Sequence, residues 1–257
     1  MLVTTCEAPA EAELTLAADI ADQWQAHFVP RDRQTLNKLR QRYGSEALLV
    51  IGQRDIRYYS EGRPPLFFHP SMAMIRLKRL LAGRPDTMLA AARIQPGDRV
   101  IDCTMGFASD AIVFAYAVGG GGTVVALESE PLPYVLAVHG LATYETELQA
   151  LRDAMRLVQP VNEDHLSYLR SQPDRSADVV YFDPMFRSPR SSASIEPLRE
   201  MANSEALREE AVEEARRVAR RCVLLKETAT SGEFARLGFR PFLAKPVNIN
   251  YGVISCE

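Results

Sequence analysis

The sequence predicts an α/β fold in which a mostly parallel sheet, covered by helices and closed by a terminal antiparallel hairpin, follows a small N-terminal α/β module. Three observations carry this expectation. From residue 99 onward, short apolar runs alternate with longer segments of helical period, the pattern of parallel strands buried on both faces. The last two strand-like runs, 240–244 and 248–255, are separated only by Lys245, Pro246 and Val247, too little chain for a crossover. The first 65 residues have a different rhythm and end at a punctuation of Gly62, Pro64 and Pro65. With 257 residues, 47% apolar and 25% charged, the chain can bury a sizeable core, which excludes disordered and fibrous classes.

The elements follow in order. Residues 2–5 read as a strand, 10–26 as one helix with apolar residues at helical spacing, and 47–52 and 56–59 as short strands, together a module over 1–65. The second domain, 66–257, opens with a helix marked by Met72, Ile75, Leu77, Leu80 and Leu81, ended near Gly83, and a short one over 87–92. Strands are predicted over 99–102, 123–127, 155–158, 178–182 and 222–226, with helices after most of them. A mostly parallel sheet with a terminal antiparallel hairpin is the architecture expected of a Rossmann-like sheet of the class I methyltransferase type.

No apolar stretch reaches the roughly 18 residues of a membrane span; 111–118 runs into four glycines. The acidic N-terminus lacks the basic start of a secretory signal, so a cytoplasmic location is expected. Cys6, Cys103, Cys222 and Cys256 are far apart and form no C-x-x-C pair, which predicts reduced thiols and no metal site.

In such sheets ligands sit outside the carboxyl ends of the strands. The strand over 99–102 ends in Asp102-Cys-Thr-Met-Gly106-Phe-Ala108-Ser109-Asp110, which leads into an apolar helix. Gly106 permits a tight turn, and small Ala108 and Ser109 keep the helix start open to a ligand. The second and third glycines of a dinucleotide fingerprint are missing, and the flanking acids Asp102 and Asp110 would repel a pyrophosphate. They suit a cation such as S-adenosylmethionine, which carries a sulfonium and an ammonium. Glu128, 26 residues after Asp102 and followed by Ser129, is placed to take both ribose hydroxyls. After the third strand, Asp164 or a neighbouring amide near His165 can reach an adenine edge. Each residue has a plainer role open to it, as a helix cap, a turn or a solvated acid.

The fourth strand leads into Asp183-Pro184-Met185-Phe186, where proline biases the preceding residue toward an extended form. That rigid turn can aim a carboxylate and backbone carbonyls at one point. It fits methyl transfer to an exocyclic amine of a nucleobase: Asp183 and the Pro184 carbonyl would accept amine N–H groups while Phe186 stacks on a base splayed out of RNA. The plainer reading is a strand-to-loop turn with Phe186 as core filler.

The segments 102–110, 127–131 and 180–186, with Val223-Leu-Leu-Lys226, resemble those of the ribosomal small subunit methyltransferase J family. The resemblance covers about residues 68–228 and implies S-adenosylmethionine-dependent methylation of a guanine N2 in small-subunit ribosomal RNA. It places cofactor contacts on Ser109, Asp110, Glu128, Ser129, Asp164, His165 and Asp183. Ala108 stands at the family's second loop glycine, Ser109 and Ser129 at arginines, and Arg187 at a proline. A protein-carboxyl methyltransferase of the isoaspartate-repair type, a small-molecule methyltransferase and a catalytically silent RNA-binding protein share the fold and remain open.

The formal net charge of −3 speaks against nucleic-acid binding through bulk basicity, but it averages unlike regions. Residues 31–93 carry 13 Lys and Arg against 5 Asp and Glu. Arg31, Arg33, Lys38, Arg40 and Arg42 form one cluster, and Arg76, Lys78, Arg79 and Arg84 another. Either is a solvated face or a set of phosphate contacts to ribosomal RNA.

Overall fold

The computed structural model describes residues 1–184, 206–228, 230–243 and 248–257. Two sheets organise them. The first has the order β2-β1-β3-β4-β5, from β1 (Leu2–Thr5), β2 (His27–Phe28), β3 (Ala47–Ile51), β4 (Ile56–Ser60) and β5 (Leu66–Phe67). Helix α1 (Glu11–Gln23) connects β1 to β2 and buries Ala17, Ile20 and Ala21 against Val3, Leu49 and Ile51. Strands β1 and β3 pair in parallel, Val3 opposite Leu49.

The expectation of one helix in this region is corrected by a second, α2 (Leu36–Tyr43). Thr35 Oγ1 accepts the Lys38 N–H at 3.3 Å, and Gly44 closes the helix at φ +60°. Leu39 is its buried anchor, packed with Leu2, Val29 and Leu48 on the opposite face of the sheet. One apolar residue in two turns is too sparse to register as a period, although the cap and the terminal glycine are ordinary helix boundaries.

The second sheet has the order β11-β12-β10-β9-β6-β7-β8. Strands β6 (Arg99–Asp102), β7 (Thr123–Glu128), β8 (Val158–Asn162), β9 (Ala177–Phe182) and β10 (Ala219–Thr228) are parallel. The expected hairpin is present as β11 (Arg240–Pro241) and β12 (Ile249–Ser255), antiparallel to each other; β12 is also antiparallel to β10. Residues 244–247, which include the expected hairpin connection, lie outside the described residues.

The chain fills the sheet outward from β6 to β8, returns to the other side of β6 at β9, and continues to β10. The direction of winding therefore reverses between β6 and β9, and the crevice at a parallel sheet's carboxyl edge opens there. Asp102 ends β6 and Asp183 follows β9.

Helices α3 (Ser71–Leu81), α5 (Ser109–Val118) and α7 (Gln149–Leu157) cover one face of this sheet. Helices α8 (His165–Ser171), α9 (Glu209–Val218) and α10 (Glu233–Arg236) cover the other. A short α4 (Thr87–Ala92) lies between α3 and β6. Helix α6 (Pro131–Thr143) joins the sheets: Leu136 packs in the core of the first, and Ala137 and Leu141 in that of the second. Gly140 faces Phe68 so closely that a Cβ there would overlap the ring.

One predicted strand is displaced. Residues 155–157 finish α7, with Met155 buried, and the third parallel strand is Val158–Asn162. It contains Pro160, which discourages a strand reading, but β8 is the sheet edge, where a missing donor is tolerated. Among the described residues no helix is long and apolar enough to cross a membrane. The four cysteines are free, Cys103 and Cys222 buried.

Candidate active site

The crevice between β6 and β9 is floored by ionisable side chains. Asp102 is 1% exposed. Its Oδ1 accepts the Thr104 N–H at 3.0 Å, while its buried Oδ2 has no hydrogen-bond partner among the described residues. Burial, reinforced by nearby Asp110, pushes its pKa up to about 8. Thr104 reaches across to β9 as well: its Oγ1 accepts the Asp183 N–H at 2.6 Å, so the loop after β6 and the acid-proline turn after β9 are fastened together.

The rest of the first loop is held by β7. Met105 N–H donates to the Leu127 carbonyl at 2.7 Å, and Gly106 N–H to Glu128 Oε2 at 3.0 Å. Glu128 Oε1 accepts the Glu130 N–H at 3.0 Å, so this carboxylate braces two loops and keeps a lone pair on each oxygen for a further donor. Burial raises its pKa. Ala108 is fully buried at φ +57°, a left-handed position that opens α5 and costs a non-glycine residue about 1 kcal/mol. Ser109 is the first residue of α5 and half-buried.

Asp110 lies in the first turn of α5 and is held from three sides. Arg76 of α3 donates to Oδ1, and Tyr181 Oη (2.9 Å) and Lys226 Nζ (3.0 Å) donate to Oδ2. These partners outweigh the cost of burial and hold its carboxyl well below the usual range. Lys226 also donates to Asp183 Oδ2 at 2.7 Å. Burial pushes Asp183 up to about 6, with the Lys226 ammonium opposing the shift. Its side chain remains 24% exposed, and with a pKa of about 6 it is mostly a carboxylate at neutral pH.

Further along the edge, Asp164 caps α8, Oδ1 accepting from Leu166 and Ser167 N–H at 3.1 Å each. The His165 ring packs edge-on against buried Phe182, and burial lowers its pKa, leaving it neutral. Pro184 is half-buried beside Asp183; Phe186 and Arg187 lie outside the described residues.

The structure thus brings Asp102, Asp110, Glu128 and Asp183 to one edge. It also adds three residues the sequence reading left without a role there: Thr104 as the tie between loops, Tyr181, and Arg76. The last is a correction, because Arg76 is expected in sequence to be an outward phosphate contact. Its side chain is 16% exposed and clamped by Asp86 at 2.8 Å through both Nε and Nη2, with Asp110 beyond. Arg31 is likewise withdrawn, 12% exposed and bonded to the Gln34 carbonyl at 2.6 Å, and Arg40 is half-buried. Arg33, Lys38, Arg42, Lys78, Arg79 and Arg84 are exposed. Strand alternation offered one signal, since Val179 and Tyr181 share a face of β9 toward α5.

This acceptor-rich set suits a cationic nucleoside. Asp86, Arg76, Asp110, Lys226 and Asp183 together carry a net −1, and Asp102 keeps an unused buried oxygen. Asp110 and Asp183 would favour positive charge near the crevice, Asp102 adds a negative charge when a bound cation draws off its proton, and Glu128 can accept hydroxyl donors. Among the described residues no group of three or more His, Cys, Asp or Glu could hold a metal ion.

A family profile described as "Putative SAM-dependent methyltransferase" matches residues 37–234. "Uncharacterized protein YpiP" of Bacillus subtilis (strain 168) is 39% identical over 254 residues, 98% of each chain. "Ribosomal RNA small subunit methyltransferase J" of Pseudoalteromonas atlantica is 30% identical over 201 residues, 76% of this chain and 74% of that one. Among solved structures, the SAM-dependent methyltransferase NGO1261 from Neisseria gonorrhoeae superposes with a TM-score of 0.66 at 15% identity, covering 99% of this chain and 96% of that one. With its switch-point acids on a sheet of this order, the chain belongs to the SAM-dependent methyltransferase family, and its cofactor is S-adenosylmethionine.

Proposed function

We propose that the protein methylates an exocyclic amine, the guanine N2 of small-subunit ribosomal RNA. The observation that carries this reading is the 2.6 Å hydrogen bond from Asp183 N–H to Thr104 Oγ1, which sets an acid-proline turn directly against the cofactor loop. The relatives named for ribosomal RNA support the substrate class. In this reading the module expected over 1–65 extends through β5 to Phe67, past the expected boundary because Leu66 and Phe67 pair with β4; it lies beside the methyltransferase domain expected over 66–257, and the protein works in the cytoplasm.

Asp102, Gly106, Ala108, Ser109, Asp110, Glu128, Ser129, Asp164 and His165 would hold the cofactor, with Asp183 at the border between cofactor and base. When bound, S-adenosylmethionine supplies an electrophilic methyl group on a sulfonium. Asp183, ionised at neutral pH, accepts one amine N–H, and the Pro184 carbonyl accepts the other. Both bonds favour a tetrahedral nitrogen whose lone pair is no longer shared with the ring. The methylated nitrogen is acidic and sheds its proton to water or to Asp183, so no stronger base is required. Phe186 would stack on the base, and exposed Arg33, Lys38, Arg42, Lys78 and Arg79 would meet phosphates.

The test is transfer of tritiated methyl to small ribosomal subunits stripped of modification, with an isoaspartyl peptide as control and nucleosides identified by mass spectrometry. Label in N2-methylguanosine is expected. Asp183→Ala should abolish it while leaving cofactor affinity within about tenfold, roughly 1.4 kcal/mol. Label in the peptide, or none in RNA, overturns the reading.

A further inference from the structure

Lys226 is on β10, immediately after the pairing of Leu225 with Phe182, so it emerges beside the turn that carries Asp183. Its Nζ lies 2.7 Å from Asp183 Oδ2 and 3.0 Å from Asp110 Oδ2, and its side chain is 19% exposed. The two carboxylates differ in their freedom. Asp110 is gripped by Arg76 and Tyr181 as well, and Arg76 is itself clamped by Asp86, which caps α4 through the Met88 and Leu89 amides. The Asp183 side chain accepts from Lys226 at 2.7 Å, and its backbone N–H is tied to Thr104. The ammonium therefore bridges a carboxylate held by several donors and one held by fewer.

The electrostatic setting makes that bridge necessary. Asp183 faces Asp110 from α5, Asp102 from β6 and Tyr181 from β9, with Tyr251 of β12 beside Lys226 and Asp110, and with Arg76 of α3 and Asp86 before α4 lying behind Asp110. Among the described residues, Lys226 is the cation in direct contact with Asp183. Without it, the Asp110 and Asp183 carboxylates would lose the cation that bridges them.

We infer that Lys226 is the positioning residue for Asp183: braced on Asp110, its ammonium keeps the Asp183 carboxylate ionised and sets the direction in which it meets the substrate amine. The inference rests on the reading of Asp183 as the amine acceptor. It makes the chain of contacts from α3 through Asp110 to the β9 turn a single support, with charges alternating from Asp86 to Asp183.

Two variants separate charge from shape. Lys226→Gln keeps a hydrogen-bond donor and deletes the charge; Lys226→Arg keeps the charge. Methyl transfer to unmodified small subunits is followed as kcat and KM from pH 5 to 9, with S-adenosylmethionine affinity by calorimetry. In Lys226→Gln the acid limb of the kcat profile should move up by about one pH unit, because the carboxylate has lost its cation, with kcat falling more than KM changes. Lys226→Arg should restore the limb to its original place. A uniform loss of kcat with an unmoved limb overturns the inference.

Carbon-13 titration of the aspartate carboxyls, with the Asp183 signal assigned by Asp183→Asn, gives a readout without RNA. A higher midpoint for Asp183 in Lys226→Gln is expected, and equal midpoints overturn the inference. If wild-type protein methylates no RNA while the midpoint still rises, the substrate reading fails and the hold of Lys226 on Asp183 stands. Should Lys226→Gln not fold, the wild-type Lys226 nitrogen-15 resonance decides: it must shift as Asp183 titrates, and a silent signal overturns the inference.

Discussion

Asp102 combines a buried carboxyl, one oxygen without a donor and a pKa pushed up to about 8. In the unfolded chain such a group ionises near pH 4. Between about pH 4 and 8 the folded state therefore binds more protons than the unfolded one, and this residue subtracts from stability as pH rises. Urea titrations across that range should show a decline that Asp102→Asn removes; equal slopes in both proteins would remove the basis for a protonated Asp102. The same linkage reaches the cofactor. A bound cation favours the ionised form, so S-adenosylmethionine affinity should increase from pH 6 to 8 with release of a proton, and Asp102→Asn should flatten the increase. The acids themselves were legible in the sequence because they stand where apolar strands stop. Their partners were not: Arg76 sits in the same basic run as Lys78 and Arg79, and only the docking of α3 on α5 turns it inward. Thr104, lying between two conspicuous residues, has nothing in its type to show that it ties two loops together.

Helix α6 shows how one element couples the two sheets. Its Leu136 side belongs to the first core and its Ala137 and Leu141 side to the second, while Gly140 admits the Phe68 ring against the backbone. Gly140→Ala should lower stability by about 1 to 3 kcal/mol, the usual cost of overpacking, although alanine is the better helix former. Denaturant midpoints check this, and a stabilised variant would mean that Phe68 withdraws freely. Most of the large sheet was readable because its strands are short, apolar and bounded by acids or glycines. The exceptions have local causes. Strand β8 hid behind Pro160, and α2 behind a polar composition with one buried leucine. Strands β2 and β5 are two residues each, below any period.

Charge is distributed unevenly over the whole molecule. Residues 31–93 hold an excess of 8 positive charges in a chain whose formal net charge is −3. Helix α3 turns Arg76 toward Asp110 and leaves Lys78 and Arg79 outside, so the inner support of the crevice and an outer basic face share one element. Reversing Lys78 and Arg79 to glutamate should weaken RNA binding and reduce its dependence on salt, by a slope of about 0.7 per lost phosphate contact, with cofactor affinity unchanged. Filter binding over a salt series measures it; an unchanged slope would place RNA elsewhere. The sheet edges have a consequence of a different kind. Strand β8 carries Pro160, β11 is two residues long and ends in Pro241, and β2 and β5 are also two residues long. Among the described residues, none of these four edge strands itself presents a long, unbroken row of backbone donors and acceptors for another polypeptide to zip onto. Short and proline-interrupted edges of this kind oppose templated fibre growth, and the proline that conceals a strand from view contributes to that effect.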